Sequence, residues 1–209
     1  MSHPPIESQL LAKLRAVSFP TLGHFLEEGF AESGIRSLLS NVKVVGRAAT
    51  LMLADADALA VNQALAGLGQ GDVLVIDMAG DHHHAPVGAV TACAAACAGA
   101  QAIIVDGVVT DLLELRAAGL PVFARGTSLL TTKRRGTGRS KFNVPVQCGG
   151  VLVQPGDLVL ADDNGVFFAD LATVAGIVEQ ALTSDHAEPA ILSRLRAGEP
   201  VGQVLCPQS

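Results

Sequence analysis

Residues 102–115, "AIIVDGVVTDLLEL", contain the clearest indication of the fold. The stretch opens with a wholly apolar run at 103–105, which is typical of a strand buried on both faces of a sheet. Asp106 and Gly107 interrupt this run, and from Asp111 onward leucines recur at helical spacing. The stretch therefore predicts a buried strand followed by a helix, which is one half of a parallel β/α/β unit.

The same alternation of strand and helix flanks this stretch on both sides. "VLVID" (73–77) predicts a second buried strand, residues 88–98 or so predict a small-residue helix, and "PVFA" (121–124) predicts a third strand. Downstream, residues 144–169 read as strand, turn and strand, with an Asn-Gly turn between apolar runs. We therefore expect an α/β fold with a central parallel sheet, right-handed crossovers, flanking helices and an antiparallel hairpin annex.

Two helices are predicted to close the chain, at about 170–183 and 188–197. No internal repeat or long linker interrupts the pattern, so residues 1–209 predict a single α/β domain.

Composition excludes several classes of function. The chain has 209 residues, 49% of them hydrophobic and 16% charged, which indicates a globular protein with a sizeable core. A formal net charge of −6 argues against nucleic acid as a partner, because phosphate binding normally needs a basic surface.

Cellular location is predicted from the apolar segments and the cysteines. The longest apolar segment, residues 85–105, is broken by proline, glycine and glutamine, so it predicts helix and then strand, without a membrane span. The N-terminal residues lack the apolar core of a signal peptide. The four cysteines have no metal-site spacing, and we expect buried packing thiols in a reducing compartment. A soluble, cytoplasmic protein is expected.

Asp111 has two interpretations from spacing alone. It opens a helix at the carboxyl end of a predicted parallel strand, where α/β sheets bind their ligands. Asp111 with Glu114 three residues later also matches a helix-capping pattern, which explains an aspartate without any ligand. The spacing favours the cap, and a metal or substrate role stays open beside it.

Three consecutive histidines lie in the loop "DMAGDHHHAPVG" (77–88), which should face the same edge of the sheet. In an extended segment His82 and His84 share one side, with His83 on the other. Imidazoles near Asp81 can ligate a transition metal or act in acid–base catalysis. The alternative is a solvated loop with ordinary histidines.

Two further features could contact an anionic ligand. The helix that begins near Gly88 offers free backbone N–H groups from Ala89, Val90 and Thr91, a plausible cradle for a carboxylate. A basic cluster follows the third strand, and it could be a lid over an anionic substrate, an RNA patch, a subunit contact or a solvated loop. Its members are Lys133, Arg134, Arg135, Arg139 and Lys141.

The motifs "GDVLVID", "HAPVG", "AIIVDGVVTD" and "GGVLVQPGDLVLADDNGVFFA" resemble those of one family, the 4-hydroxy-4-methyl-2-oxoglutarate aldolases and the regulator of ribonuclease activity A. The resemblance runs from about residue 19 to 198. It implies a swivelling β/β/α domain, assembled as homotrimers or hexamers with the active site between subunits. It also implies a Mg²⁺- or Mn²⁺-dependent aldolase that releases pyruvate from a small oxo-hydroxy carboxylate, often with oxaloacetate decarboxylase activity.

The family's catalytic motif is only partly present in this chain. It pairs an acid after a glycine with an Arg-Asp dipeptide twenty residues later. Asp111 matches the metal-anchoring aspartate, whereas Thr110 stands at the arginine and Ala89, after Gly88, stands at the acid. A threonine donates one neutral hydrogen bond and no charge, so stabilisation of an enolate is weakened unless another cation takes over. The replacement candidates are His82, His84, Arg125 and the loop 133–139.

The leading hypothesis is a divalent-metal-dependent lyase for a small 2-oxo or hydroxy acid. Asp111 would anchor Mg²⁺ or Mn²⁺, the amides at Gly88–Thr91 would receive a substrate carboxylate, and Thr110 with the histidines would set a different substrate. We expect the C-terminal helices (about 170–198) to pack on a neighbouring subunit, where Glu188 could complete the site. The alternatives are a non-catalytic regulator that binds a ribonuclease or another protein partner, and an isomerase, dehydratase or hydrolase with His82 or His84 as base.

Overall fold

The computed structural model describes residues 6–206. Seven helices occur in this part of the chain: α1 (Ser8–Ala16), α2 (Phe19–Leu22), α3 (Ala58–Ala66), α4 (Ala89–Cys97), α5 (Leu112–Ala118), α6 (Leu171–Arg196) and α7 (Val201–Leu205). The strands are β1 (Arg36–Ser37), β2 (Lys43–Met52), β3 (Asp72–Asp77), β4 (Ala102–Asp106), β5 (Val108–Val109), β6 (Val122–Ala124), β7 (Gly126–Thr127), β8 (Lys141–Phe142), β9 (Val146–Cys148), β10 (Val151–Val153), β11 (Leu158–Asp162) and β12 (Gly165–Ala169).

The central sheet has the strand order β1-β6-β4-β3-β2-β11-β12, with β8 added beside β2. Strands β2, β3, β4 and β6 are parallel, while β1, β8, β11 and β12 pair antiparallel to their neighbours. The α/β fold class is therefore confirmed. The β11–β12 hairpin extends the central sheet through β2, and the separate β9–β10 hairpin packs against β3.

Strands β3 and β4 lie at the centre of the sheet because both of their faces are apolar. Leu74 and Ile103 point into a cluster completed by α3, α4 and α5, whereas Val75 and Ile104 point to the opposite face, towards β9 and β10. All four side chains are fully buried. Each contributes about 1.5–3 kcal/mol relative to an exposed position, which explains why these apolar runs become the central strands.

The sequence-based expectation of buried cysteines is wrong for three of the four. Cys148 is buried, but Cys93, Cys97 and Cys206 are exposed. Helix α4 packs on the sheet through its alanines, such as Ala92 and Ala95, which allow a close approach and turn the larger cysteines outward. The cysteines therefore give no support to the predicted compartment.

The two predicted C-terminal helices form one continuous helix, α6, with Pro189 inside it. Proline removes one intrahelical hydrogen bond. Pro189 lies in the outer, exposed half of α6, where water can satisfy the freed carbonyl. The inner half is held by Val174, Val178 and Ala181, which are buried. In the region that the structure covers, no helix combines the length and the hydropathy needed to cross a lipid bilayer.

Candidate functional site

Asp111 lies at the junction between β5 and α5, directly beyond the carboxyl end of β4. Its backbone is in the left-handed region, with φ of 55°. Aspartate tolerates this conformation better than most side chains because its short carboxylate can bond locally. The carboxylate makes no hydrogen bond to the N–H groups of α5. The capping interpretation for that helix therefore fails.

The Asp111 carboxylate instead reaches across to the start of α4. Its Oδ2 accepts the backbone N–H of Ala89 at 3.0 Å, and its Oδ1 accepts the Thr110 hydroxyl at 3.3 Å. A Cβ at Gly88 would overlap Asp111 Oδ2 and would lie 2.9 Å from Thr110 Cγ2. Position 88 therefore leaves space for the carboxylate only while it is glycine. The fold fixes an exposed carboxylate between two helix starts.

One of the backbone N–H groups predicted to bind a substrate carboxylate is already hydrogen-bonded within the protein. The Ala89 N–H already donates to Asp111. Within residues 6–206, the N–H groups of Val90 and Thr91 have no acceptor, as expected for a first helical turn. The structure leaves two amide donors beside the Asp111 carboxylate, and the substrate-binding role of residues 88–91 stays a prediction.

The histidine loop is held by Asp81. Its carboxylate accepts the N–H groups of His83 and His84 at 2.8 and 3.1 Å, and it lies 2.7 Å from Nδ1 of His84. Burial opposes the charged form of Asp81, but these hydrogen bonds prevail and lower its pKa. The His82 side chain lies near a different carboxylate: its Nε2 is 3.9 Å from Oδ1 of Asp106. Among the described residues, no hydrogen bond or ion pair joins either His82 or His84 to Asp111.

A second polar cluster, which the sequence reasoning missed, occupies the same edge of the sheet. Asp106 ends β4 and pairs with Arg125, whose guanidinium also donates to Glu32 at 2.8 Å. The other Asp106 oxygen accepts the Gly149 N–H at 2.8 Å. The hydrogen bond to Asp106, helped by Glu32, raises the pKa of Arg125. The Arg125 guanidinium is therefore already paired with two carboxylates and does not take the place of the missing arginine.

A repeated sequence signal could have found this cluster. Both "VLVID" and "AIIVD" end in an aspartate, and the parallel register places Asp77 directly beside Asp106. Asp77 accepts the Gln147 N–H at 3.0 Å, so both carboxylates bind the β9 hairpin to the sheet. Cys148 lies buried between them, and burial raises the pKa of its thiol well above the usual value.

The segment that leads into the basic cluster, residues 128–130, passes beside the Asp111 site. Ser128 donates its N–H to Val109 at 2.8 Å, and Ala85 donates to Leu130 at 2.8 Å, so the loop crosses next to Thr110 and Val87. Farther on, Arg139 forms an ion pair with Asp55.

Asp57 anchors the middle of the basic loop. Its carboxylate caps α3 through the Leu59 N–H at 3.0 Å and accepts the N–H groups of Arg135 and Thr137 at 3.0 and 2.9 Å. Backbone N–H groups, that of Gly136 foremost, outweigh burial and lower the pKa of Asp57. One carboxylate therefore joins the start of α3 to the middle of the loop.

The donor set fits a largely hydrated divalent ion. No group of three or more His, Cys, Asp or Glu side chains within residues 6–206 is arranged to enclose a metal. Mg²⁺ nevertheless keeps several waters and often binds through one or two carboxylates. Each Asp111 oxygen makes one hydrogen bond, which leaves a lone pair on each for an ion or its water.

Comparison with known proteins identifies the family. The model described as RraA-like, Aldolase/RraA, matches residues 21–168, more than half of the chain. The chain belongs to the RraA-like family. This confirms the resemblance that the motifs indicated.

Two curated relatives are named "Putative 4-hydroxy-4-methyl-2-oxoglutarate aldolase". The protein of Halalkalibacterium halodurans is 40% identical over 134 residues, 64% of this chain and 63% of its own length. This chain therefore spans less than two thirds of that relative. The protein of Hahella chejuensis is 33% identical over 149 residues, which cover 71% of this chain and 86% of its own.

A solved RraA-like structure supports the fold over nearly the whole chain. Streptomyces coelicolor RraAS2, described as an unusual member of the RNase ES inhibitor RraA protein family, is 29% identical, with a TM-score of 0.76. The match covers 92% of this chain and 99% of the other.

Proposed function

We propose that this chain is a divalent-metal-dependent carbon–carbon lyase that acts on a small 2-oxo or hydroxy carboxylic acid. The observation that carries the proposal is the Asp111 carboxylate, which is exposed, held in a left-handed turn and accommodated by Gly88. The names of the aldolase-like relatives support the same class of chemistry.

Each residue around Asp111 would have a separate role in the reaction. Asp111 would hold Mg²⁺ or Mn²⁺ largely through water, and the bound ion would supply Lewis-acid stabilisation of enolate charge. The Val90 and Thr91 amides, at the positive end of α4, would bind and orient the substrate carboxylate. The Thr110 hydroxyl, which donates to Asp111, keeps that carboxylate turned towards α4.

Decarboxylation and retro-aldol cleavage both form an enolate, so the absent arginine should slow both reactions. Loss of one donor to a developing oxyanion typically costs on the order of 10²–10³ in rate. Retro-aldol cleavage also needs a base for the substrate hydroxyl, and within residues 6–206 neither His82 nor His84 contacts Asp111. Decarboxylation of a 2-oxo acid such as oxaloacetate needs no such base. We therefore propose a β-carboxylated 2-oxo acid as the preferred substrate.

Pyruvate release tests the proposal. Purified protein is incubated with oxaloacetate or a 4-carboxy-4-hydroxy-2-oxo acid, with Mg²⁺, Mn²⁺ or a chelator, and pyruvate is followed over the metal-only rate. We expect turnover of oxaloacetate that the chelator abolishes and that Asp111→Asn reduces about 10²-fold or more. The matched control is Asp163→Asn, a turn aspartate that binds Asn41 and Val42. Wild-type rates equal to metal alone would refute the proposal.

We also propose that the protein assembles as a homotrimer or hexamer, with the outer part of α6 packed on a neighbour. The outer half of α6 and helix α7 expose Leu192, Val201 and Leu205, by 37%, 62% and 55%. Glu188 lies on that outer half and could enter a neighbouring site. Light scattering after gel filtration should give three or six times the 21.4 kDa chain mass; a monomer would contradict this arrangement.

A second candidate function is regulation of a ribonuclease by contact. It is favoured by the likeness to RraAS2 and by exposed apolar side chains near the candidate site. Val90, Leu113 and Leu129 are exposed by 84%, 75% and 99%, and such patches often mark protein-binding surfaces. Inhibition of a ribonuclease that is lost in Leu129→Ser but kept in Asp111→Asn would support this role. Inhibition lost in neither variant would count against this surface.

A further inference from the structure

A groove of about 230 Å³ lies at the end of the sheet opposite to Asp111. Helix α1 forms one wall, and the starting residues of β3 and β4 form the floor, with Asp72 and Gln101 among them. Strand β4 has five residues, so its length of roughly 15 Å separates the groove from the Asp111 site. A ligand in this groove would not touch the candidate active site.

Two guanidinium groups line the groove without a carboxylate partner. Arg47 donates one hydrogen bond, from an η nitrogen to the Gly156 carbonyl at 3.0 Å, and its Nε is buried with no acceptor. Within residues 6–206, neither Arg47 nor Arg15 forms an ion pair with a carboxylate. Buried donors without acceptors are rare in folded proteins, so the free Nε marks Arg47 as incompletely satisfied, although its charge also acts on the Asp157 carboxylate.

The rest of the lining limits the charge and shape of an anion that could bind in the groove. Ile6, Leu11 and Val45 make one part of the groove apolar. Asp72 also lines it; its Oδ2 accepts the Gly69 N–H at 2.8 Å, and the residue is 7% exposed. Two arginines and one aspartate leave a formal charge of +1. A single negative charge with a short aliphatic chain fits this lining better than a dianion.

We propose that this groove binds a short-chain aliphatic monocarboxylate. The carboxylate would accept hydrogen bonds from the η nitrogens of Arg47 and from Arg15, and the alkyl chain would pack on Ile6 and Leu11. Guanidinium–carboxylate hydrogen bonds are charge-assisted and geometrically specific. At about 230 Å³ the groove has room for a chain of a few carbons, since a water molecule occupies about 30 Å³. The proposal does not depend on the lyase activity.

The test is direct binding of butyrate to the full-length chain by ligand-observed NMR and calorimetry, at ionic strength held constant with chloride. Wild type should bind butyrate saturably and bind phosphate and succinate at least about tenfold more weakly, because Asp72 repels a second charge. Arg15→Gln, which alters an exposed helix position, and Arg47→Gln should each weaken butyrate binding about tenfold.

Two controls locate the binding. Arg196→Gln removes an exposed arginine on α6 and should leave binding unchanged, and Asp111→Asn should do the same. A circular dichroism melt of Arg47→Gln checks the fold, and Arg15→Gln carries the conclusion if that variant unfolds. The proposal is overturned if wild type shows no saturable binding, if phosphate binds as tightly as butyrate, or if Arg15→Gln behaves like Arg196→Gln. Loss of binding in Asp111→Asn would assign butyrate to the other end of the sheet.

Discussion

Replacing Gly88 by alanine should damage the site without touching a catalytic side chain. The backbone of Gly88 has φ of −140° and ψ of −165°, which any residue adopts, so the added methyl group brings no backbone strain. The new Cβ would instead overlap Asp111 Oδ2 and press on Thr110 Cγ2, 2.9 Å away. Asp111 must then swing away and lose its hydrogen bond to the Ala89 N–H, which measures 3.0 Å.

The size of the effect follows from that hydrogen bond and from the displacement. A hydrogen bond to a charged group contributes about 1.5–3 kcal/mol, so Gly88→Ala should lower the free energy of unfolding by about that amount. Moving a reacting group by about 1 Å can cost about 10²-fold in rate, and a similar loss is expected in pyruvate release. Binding of Mn²⁺ should weaken in parallel.

A double-mutant cycle separates this mechanism from general overpacking. Urea unfolding is measured for Gly88→Ala, for Asp111→Ala and for the double variant. Because Asp111→Ala removes the carboxylate that the methyl group meets, Gly88→Ala should cost about 1 kcal/mol or more less in that background. Additive effects on stability, or a Gly88→Ala enzyme with wild-type activity, would refute the reasoning.

Three further predictions concern the framework around the site. Asp57→Asn should lower Tm by several degrees at pH 7. Folding lowers the pKa of Asp57, so the stability that its carboxylate contributes is complete above the unfolded pKa and is lost as pH falls through the folded pKa. The difference in Tm between wild type and variant should therefore shrink in acid. Equal differences at pH 7 and pH 3 would contradict this. Arg125→Gln should lower the free energy of unfolding in urea by about 2 kcal/mol, because it leaves the part-buried Asp106 carboxylate without its cation. Arg139→Gln, in an exposed ion pair, should lower it by less than about 1 kcal/mol. Thiol titration of native protein should label the three exposed cysteines quickly and Cys148 only after unfolding; rapid labelling of all four would contradict its burial.

The central architecture follows from periodicity in the sequence, because runs that are apolar on both faces can only be central strands. Strands β3, β4 and β6 lie where "VLVID", "AIIVD" and "PVFA" predict them. The partners of the β11–β12 hairpin were not predictable, since pairing with β2 depends on contacts more than a hundred residues apart in sequence. The exposure of Cys93 and Cys97 was not predictable, because their spacing places both on one face of a helix but does not show which face packs on the sheet.

The candidate site was predictable in position but not in contacts. The strand-to-helix junction placed Asp111 at the ligand-binding edge of the sheet, and the structure agrees. Spacing suggested a cap for α5, yet the left-handed backbone turns the carboxylate to α4, a contact 22 residues away in sequence. Gly88 received a role only through its backbone amides, because the overlap that requires glycine there depends on tertiary packing.

Mn²⁺ binding, followed by the electron paramagnetic resonance signal of the free ion, shows directly whether Asp111 holds a divalent metal. Oxalate, which resembles the enolate of pyruvate, is added to wild type and to Asp111→Asn. Wild type should bind Mn²⁺, more tightly with oxalate present, and Asp111→Asn should weaken this binding at least about tenfold. Mn²⁺ binding that is absent from wild type, or equal in both proteins, would contradict a metal-binding role for Asp111.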